Sequence, residues 1–264
     1  MSELLLEHRQ GAVATLRLNR PTSRNALSRE MIAALDAGMR RLGGDPSVHV
    51  VVIAAEGPVF CAGHDLKEIT AARAADDDGR GFFEAIMAEC AAMMQAIVTC
   101  PKPVIAAVQG TATAAGCQLV ASCDLAVAVD TAHFATPGVN IGLFCSSPMV
   151  ALSRNVPRKQ AMEMLLTGTP VDAARAREIG LVNRVVVAED LMPEVMALAE
   201  EIAAKSPKTL RIGKEAFYAQ VEMPLAEAYD YAARVMVTNL LENDAREGIG
   251  AFVEKRSPNW EPLE

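Results

Sequence analysis

Two segments of this chain could hold a developing negative charge with main-chain groups. The first is Ala62-Gly63-His64-Asp65-Leu66-Lys67, which follows a Glu56-Gly57-Pro58 turn. A glycine where strand gives way to helix lets the backbone approach a ligand, and a helix start leaves N–H groups without intrahelical partners. Such a start is an anion site in waiting. The second is Gln109-Gly110-Thr111-Ala112-Thr113-Ala114-Ala115-Gly116-Cys117-Gln118, whose small side chains let a carbonyl touch the main chain. Two converging N–H groups polarise a carbonyl and stabilise the enolate formed from it, and losing one donor typically costs roughly 3 to 4 kcal/mol of catalysis. Either segment alone also reads as a tight, closely packed turn.

The elements that must position these segments follow from periodicity and punctuation. Residues 3 to 19 alternate around Gln10-Gly11 and predict a β-hairpin. Met31, Leu35, Met39 and Leu42 recur at helical spacing between Ser28, an N-cap, and the stop Gly43-Gly44. A buried strand is expected over 48–54, a helix over 82–98, strands over 104–108 and 125–129, helices over 158–166 and 173–179, and a strand over 181–187. Repeated strand and helix units imply an α/β body. After Ser206-Pro207 nearly everything reads as helix: 208–219, 224–241 and 244–255. We therefore divide the chain into an α/β core over 1–200 and a helical C-terminal region over 201–264.

Composition narrows the chemistry. The chain has 264 residues, 51% of them hydrophobic, and a net charge of −8. That charge argues against nucleic acid and anionic membranes, which need a basic face. No uncharged apolar run approaches the roughly 18 residues of a membrane span, and the first residues lack a basic leader; a cytoplasmic protein is expected. The six cysteines form no CxxC pair and the four histidines are scattered, so no metal site is expected and the thiols read as reduced and buried.

Taken together, the two helix starts, Asn19-Arg20-Pro21, Asn25-Ala26-Leu27, the run Lys102 to Asp124, Leu165-Leu166-Thr167-Gly168, Gly180-Leu181-Val182 and Phe252-Val253-Glu254-Lys255-Arg256 resemble the crotonase superfamily of enoyl-CoA hydratases and isomerases. The branch most similar is that of the enoyl-CoA hydratase domain-containing proteins. The resemblance implies a ClpP-like spiral of ββα units with a helical trimerisation region, a homotrimer or dimer of trimers, and an acyl-CoA thioester as ligand, coenzyme A belonging to the substrate and no separate cofactor being required. It places the oxyanion hole at the backbone N–H groups of His64 and Ala115. It also implies substrate-binding roles for Arg24, Ala26, Ala62, Asp65, Leu66 and Lys67, with Arg24 and Lys67 as phosphate partners, and for Phe252 and Lys255 at the adenine end of a neighbouring subunit's ligand.

The chain departs from the hydratase pattern where two glutamates are expected, carrying Gln118 and Gly138 instead. Glutamine orients a water but cannot take its proton near neutral pH, and glycine offers no group at all. Ser146 stands where some relatives place an aspartate. His64 carries an imidazole able to titrate near pH 7, although its position contributes the backbone; Cys117 and Cys145 lack a base partner and read as small buried hydrophobes. The expectation is an acyl-CoA-binding member of this family with weak hydratase turnover; the alternatives are a non-catalytic acyl-CoA binder and a structural subunit.

Overall fold

The computed structural model describes residues 4–261. Strands β1 (Leu5–Gln10) and β2 (Val13–Leu18) form the expected antiparallel hairpin, with Gly11 at φ +56° in its turn. Glu3, where the predicted hairpin begins, lies outside the described residues. Helix α1 (Arg29–Gly43) opens where the Ser28 hydroxyl accepts from the Met31 N–H at 3.2 Å, and it buries Met31, Ile32, Leu35, Met39 and Leu42 on one face.

Three successive units then share one plan. A buried strand is followed by a three-residue strand that belongs to a different sheet, and then by helix. The first unit is β3 (Val50–Ala55), β4 (Val59–Cys61), α2 (Leu66–Ala72) and α3 (Arg80–Val98). The second is β5 (Val104–Val108), β6 (Thr111–Thr113) and α4 (Ala115–Ser122), and the third is β7 (Leu125–Val129), β8 (His133–Ala135), a 3-10 turn over Pro137–Ile141 and α5 (Pro148–Asn155). Helix α6 (Arg158–Thr167), β9 (Val171–Asp172), α7 (Ala173–Glu178), β10 (Arg184–Val186) and α8 (Leu191–Ala203) complete the body. Helices α9 (Pro207–Gln220), α10 (Leu225–Leu240) and α11 (Asn243–Glu254) follow.

The long strands make a six-stranded sheet ordered β1-β2-β3-β5-β7-β10, parallel beyond the opening hairpin. The short strands make a second sheet ordered β4-β6-β8-β9. Every residue of β3 and β5 is buried, as parallel strands covered on both faces require. Helix α8 lies across β2, β3, β5 and β7. This is the mixed α/β spiral of ββα turns, ending in helices, that the resemblance implied.

Two short strands were not expected, and one expected helix has a further property. The segments at 59–61 and 111–113 are strands, too short for a period of two to show. Helix α3 spans 19 residues with a mean hydropathy of 1.4, long and apolar enough to cross a membrane, a length the search for uncharged runs passed over because Glu84 and Glu89 interrupt it. It packs against α1 and α4 and buries Ile86, Cys90, Met93, Met94 and Ile97.

Candidate active site

The short sheet brings the two candidate segments together. Strands β4 and β6 run parallel, and each leads into a helix start. Gly116, at the second position of α4, lies so close to β4 that a Cβ there would stand 2.1 Å from the Cys61 carbonyl oxygen. Thr113 adds a hydrogen bond from its hydroxyl to the Ala62 carbonyl at 3.2 Å.

The segment around Ala26 flanks the other side of the His64 loop. Leu27 and His64 form a parallel bridge: the Leu27 N–H donates to the Gly63 carbonyl at 2.8 Å, and the Asp65 N–H donates to the Leu27 carbonyl at 3.2 Å. In a parallel ladder the residue between two such bonds turns its own N–H and C=O away from the partner strand. The His64 N–H therefore points away from Leu27. Ala115 is the first residue of α4, so its N–H has no intrahelical acceptor. Among the described residues, no backbone or side-chain group accepts from either amide. Their loops touch: a Cβ on Gly63 would lie 3.2 Å from the Ala115 nitrogen.

Ala114 is bent to make this junction. Its φ of +51° and ψ of −119° belong to glycine's territory, and its N–H is pinned to the Ala135 carbonyl at 2.9 Å. An alanine in this region carries roughly 1–3 kcal/mol of strain, which persists only where surrounding structure imposes it. Gly63, at φ +85°, meets it: a Cβ there would be 2.9 Å from the Ala114 methyl.

Asn25, fully buried, holds the approach loop by donating to the carbonyls of Glu56 and Val59, both at 2.8 Å, while accepting from the Arg20 N–H. Arg24 accepts from the Ala62 N–H at 3.1 Å through its backbone carbonyl and leaves its guanidinium exposed, without a partner among the described residues. Lys67, in the first turn of α2, is likewise exposed and free, and Leu66 beside it is 52% exposed. Asp65 caps α2 by accepting from the Lys67 N–H at 3.0 Å and faces the Arg20 guanidinium at 3.8 Å, so its carboxylate is engaged within the protein. Arg24, Ala26, Ala62, His64, Asp65, Leu66, Lys67 and Ala115 thus cluster. Phe252 and Lys255 do not join them, because α11 packs on α9 and α10.

Gln118 follows Ala115 by one helical turn on α4 and is 6% exposed. Its Oε1 is buried without a hydrogen-bond partner. It opens on a cavity of ≈ 970 Å³ between α3, α4, α5 and α9, whose wall includes Met94, Val98, Ser146 and Val150. The half-buried His64 imidazole has an unpartnered Nε2, and burial lowers its pKa from the ordinary imidazole value, keeping it neutral at pH 7. The cysteines are free and buried; burial pushes Cys61 and Cys117 up to about 12, which removes both as nucleophiles.

Gly138 is not a glutamate position left vacant. The chain from Leu143 to Cys145 folds over it, so a Cβ would lie 2.6 Å from the Leu143 carbonyl oxygen and 2.9 Å from the Cys145 sulfur. The backbone occupies the space of a side chain, which sequence inspection had read only as a missing base. Sequence reasoning also missed the α9 wall of the cavity. There Lys214 donates to Asp124 at 2.7 Å and to the carbonyls of Ile97 and Lys102, and the Tyr218 hydroxyl donates to Asp124 at 2.8 Å. Asp124 also accepts from the Val104 N–H, so one carboxylate ties α9 to the starts of β5 and β7. The only sequence signal was a single acid, Asp124, at the head of an apolar strand.

Known proteins match this chain along almost its whole length. The enoyl-CoA hydratase/isomerase family model covers residues 8–262. Mouse enoyl-CoA hydratase domain-containing protein 3, mitochondrial, is 47% identical over 251 residues, 95% of this chain and 82% of the mouse protein. The crystal structure of an enoyl-CoA hydratase from Mycobacterium smegmatis superposes with a TM-score of 0.94 at 51% identity, covering 98% of this chain and 99% of that one. That of human enoyl coenzyme A hydratase domain-containing protein 3 gives 0.92 at 44% identity over 98% and 100%. These names overturn the cytoplasmic expectation: the mouse, rat and human relatives are called mitochondrial, and an acidic N-terminal segment carries no weight against that. By sequence and by fold, the chain belongs to the enoyl-CoA hydratase/isomerase family.

Proposed function

We propose that this protein binds an acyl-CoA thioester with the thioester oxygen accepting hydrogen bonds from the main-chain amides of His64 and Ala115, and that it acts as an enoyl-CoA hydratase or isomerase of fatty-acid metabolism with low hydratase turnover. One observation carries this reading. Two amides without acceptors among the described residues lie on touching segments, one turned outward by a parallel bridge and one at the start of α4. Preorganised donors of this kind stabilise an enolate without reorganising during the reaction. The cations of Arg24 and Lys67, exposed and without partners among the described residues, suit the phosphates of coenzyme A.

Low turnover follows from the reacting end of the ligand. Gln118 positions a water or hydroxyl but supplies no base, and no side chain extends from Gly138. A general acid or base contributes roughly 10²- to 10⁴-fold, and the effects of a pair acting together do not simply multiply. A second reading, an acyl-CoA binder without catalysis, is favoured by the Leu143–Cys145 backbone over Gly138, which closes that side of the site to any carboxylate.

The C-terminal helices fit an oligomerisation role for residues 201–264. Leu225 is 76% exposed, Leu241 76% and Phe252 85%, faces that a homotrimer or a dimer of trimers would cover. In such an assembly Phe252 and Lys255 belong to a neighbour's ligand.

Calorimetric titration with acetyl-CoA and a crotonyl-CoA absorbance assay test the proposal together. Binding with hydration far slower than an ordinary hydratase is expected. Failure to bind would remove the thioester site, and turnover at an ordinary hydratase rate would overturn the roles given to Gln118 and Gly138.

A further inference from the structure

The cavity that Gln118 lines also carries an excess of positive charge. Arg154, Arg211 and Lys214 line it, with Glu215 as the sole carboxylate among its lining residues, although acids outnumber bases 33 to 25 in the chain. Lys214 is neutralised by Asp124, and Arg154 by Glu222 at 2.9 Å. Arg211 has no acidic partner among the described residues. Its neighbours in charge are cations, Lys102 and Lys208, of which Lys208 is paired with Glu242.

Lys102 sharpens the point. It is 4% exposed, and no acceptor meets its ammonium group among the described residues. Burial lowers its pKa and the positive charge of Arg211 lowers it further, while Cys100 and Asp45 act in the opposite sense. A largely buried lysine stem beside an arginine without an acidic partner among the described residues leaves a local excess of positive charge, which favours the approach of an anion.

Between the charged end and the reacting end the wall is apolar, formed by Ala91, Met94 and Val98 of α3 and by Val150 and Ala151 of α5. The length of that wall can be read along α4. Ala115 stands at its start and Ser122, which also lines the cavity, at its end. At 1.5 Å per residue they are separated by about 10 Å. An extended chain advances about 1.2 Å per bond, so about eight bonds span the interval. Asp124, two residues beyond the end of α4, is paired with Lys214 of α9, and Arg211 lies one turn earlier on that helix.

We propose that the cavity between α3, α4, α5 and α9 is the acyl chamber and that it takes a medium-length acyl group of about eight carbons ending in a carboxylate, received by Arg211 with the positive field of Lys102 behind it. This deepens the functional reading above and rests on it. Arg211 is then a specificity-determining residue that touches the far end of the ligand and plays no part in the chemistry at the thioester.

The test is calorimetric titration of the full-length protein with butyryl-CoA, octanoyl-CoA and suberoyl-CoA, the last being the eight-carbon dicarboxylic monothioester. Suberoyl-CoA is expected to bind about tenfold more tightly than octanoyl-CoA. Arg211→Gln should bring the two within about twofold, chiefly by weakening suberoyl-CoA, and the suberoyl preference of the wild type should shrink in high salt. Arg211 is exposed, so folding is not at risk; Arg154→Gln supplies a second variant on the opposite wall, expected to leave most of the preference in place. Octanoyl-CoA binding as tightly as suberoyl-CoA, or a preference that survives Arg211→Gln, overturns the inference while leaving the thioester site standing. Failure of all three esters to bind removes the thioester site itself and this inference with it.

Discussion

The contact between Gly63 and Ala114 sets the spacing of the two proposed oxyanion donors, and a double-mutant cycle can measure it. Gly63→Ala places a methyl group 2.9 Å from the Ala114 methyl, 3.1 Å from the Thr113 carbonyl oxygen and 3.2 Å from the Ala115 nitrogen, at a backbone φ of +85°. The left-handed conformation costs an alanine about 1–2 kcal/mol. Overpacking against two backbone groups adds about 1–3 kcal/mol. A loss of about 2–5 kcal/mol is expected, read as a lower urea midpoint with an unchanged slope. Ala114→Gly acts in the opposite sense. It releases about 1–3 kcal/mol of strain and gives back about 0.5–1 kcal/mol in chain entropy, for a net change between none and a stabilisation of about 2.5 kcal/mol. In the double variant the 2.9 Å contact is gone, so the two changes should fall short of additivity by about 1 kcal/mol, beyond the scatter of independent sites. Gly63→Ala should also weaken acetyl-CoA binding at least tenfold, because any relief of the clash moves Ala115 relative to His64, and Ala114→Gly in the same chain should restore part of it. Unfolding and titration at one fixed protein concentration keep oligomerisation constant. Strict additivity, or an Ala114→Gly variant destabilised by more than about 1 kcal/mol, would refute both the strain at Ala114 and its contact with Gly63.

Other expectations follow from single positions. Gly138→Glu, the change that would restore a hydratase glutamate by sequence logic alone, should lower stability by more than about 2 kcal/mol and yield no hydration even with Gln118→Glu, since its Cβ meets the Leu143 carbonyl oxygen at 2.6 Å; a stable, hydrating double variant would show that the 143–145 segment moves aside freely. His64 makes stability depend on pH. Its folded pKa lies below the unfolded value of about 6.5, so the unfolded chain binds more protons between the two, and stability present above pH 6.5 falls as the pH drops through that window. Urea midpoints at pH 7 and pH 5 should differ less in His64→Gln than in the parent, and an identical difference in both would remove the imidazole as the cause.

Much of the fold was legible because it is written locally. Ser28 and Ser206 cap their helices through their own hydroxyls, Gly11 turns its hairpin, and the apolar runs at 104–108 and 125–129 are strands with the bounds that the sequence suggests. The two helix starts were also readable, since small residues and glycine at such turns have a steric cause. The strands at 59–61, 111–113 and 133–135 were not, because three residues carry no period and owe their conformation to one another across a sheet. The α8 helix escaped notice in the same way, its apolar face having meaning only against the four strands it covers.

At the site the division is sharper. From sequence alone come the identities that limit the chemistry: an amide at 118, no side chain at 138, a thiol at 145 and small residues around 115. Tertiary structure alone decides that the His64 amide faces away from Leu27, that the backbone of Leu143 fills the space over Gly138, and that Lys102 and Arg211, distant in the chain, bring like charges near each other. Residue types are encoded position by position, whereas direction, occupied volume and the summed field of charges arise only when segments far apart in sequence are packed against each other.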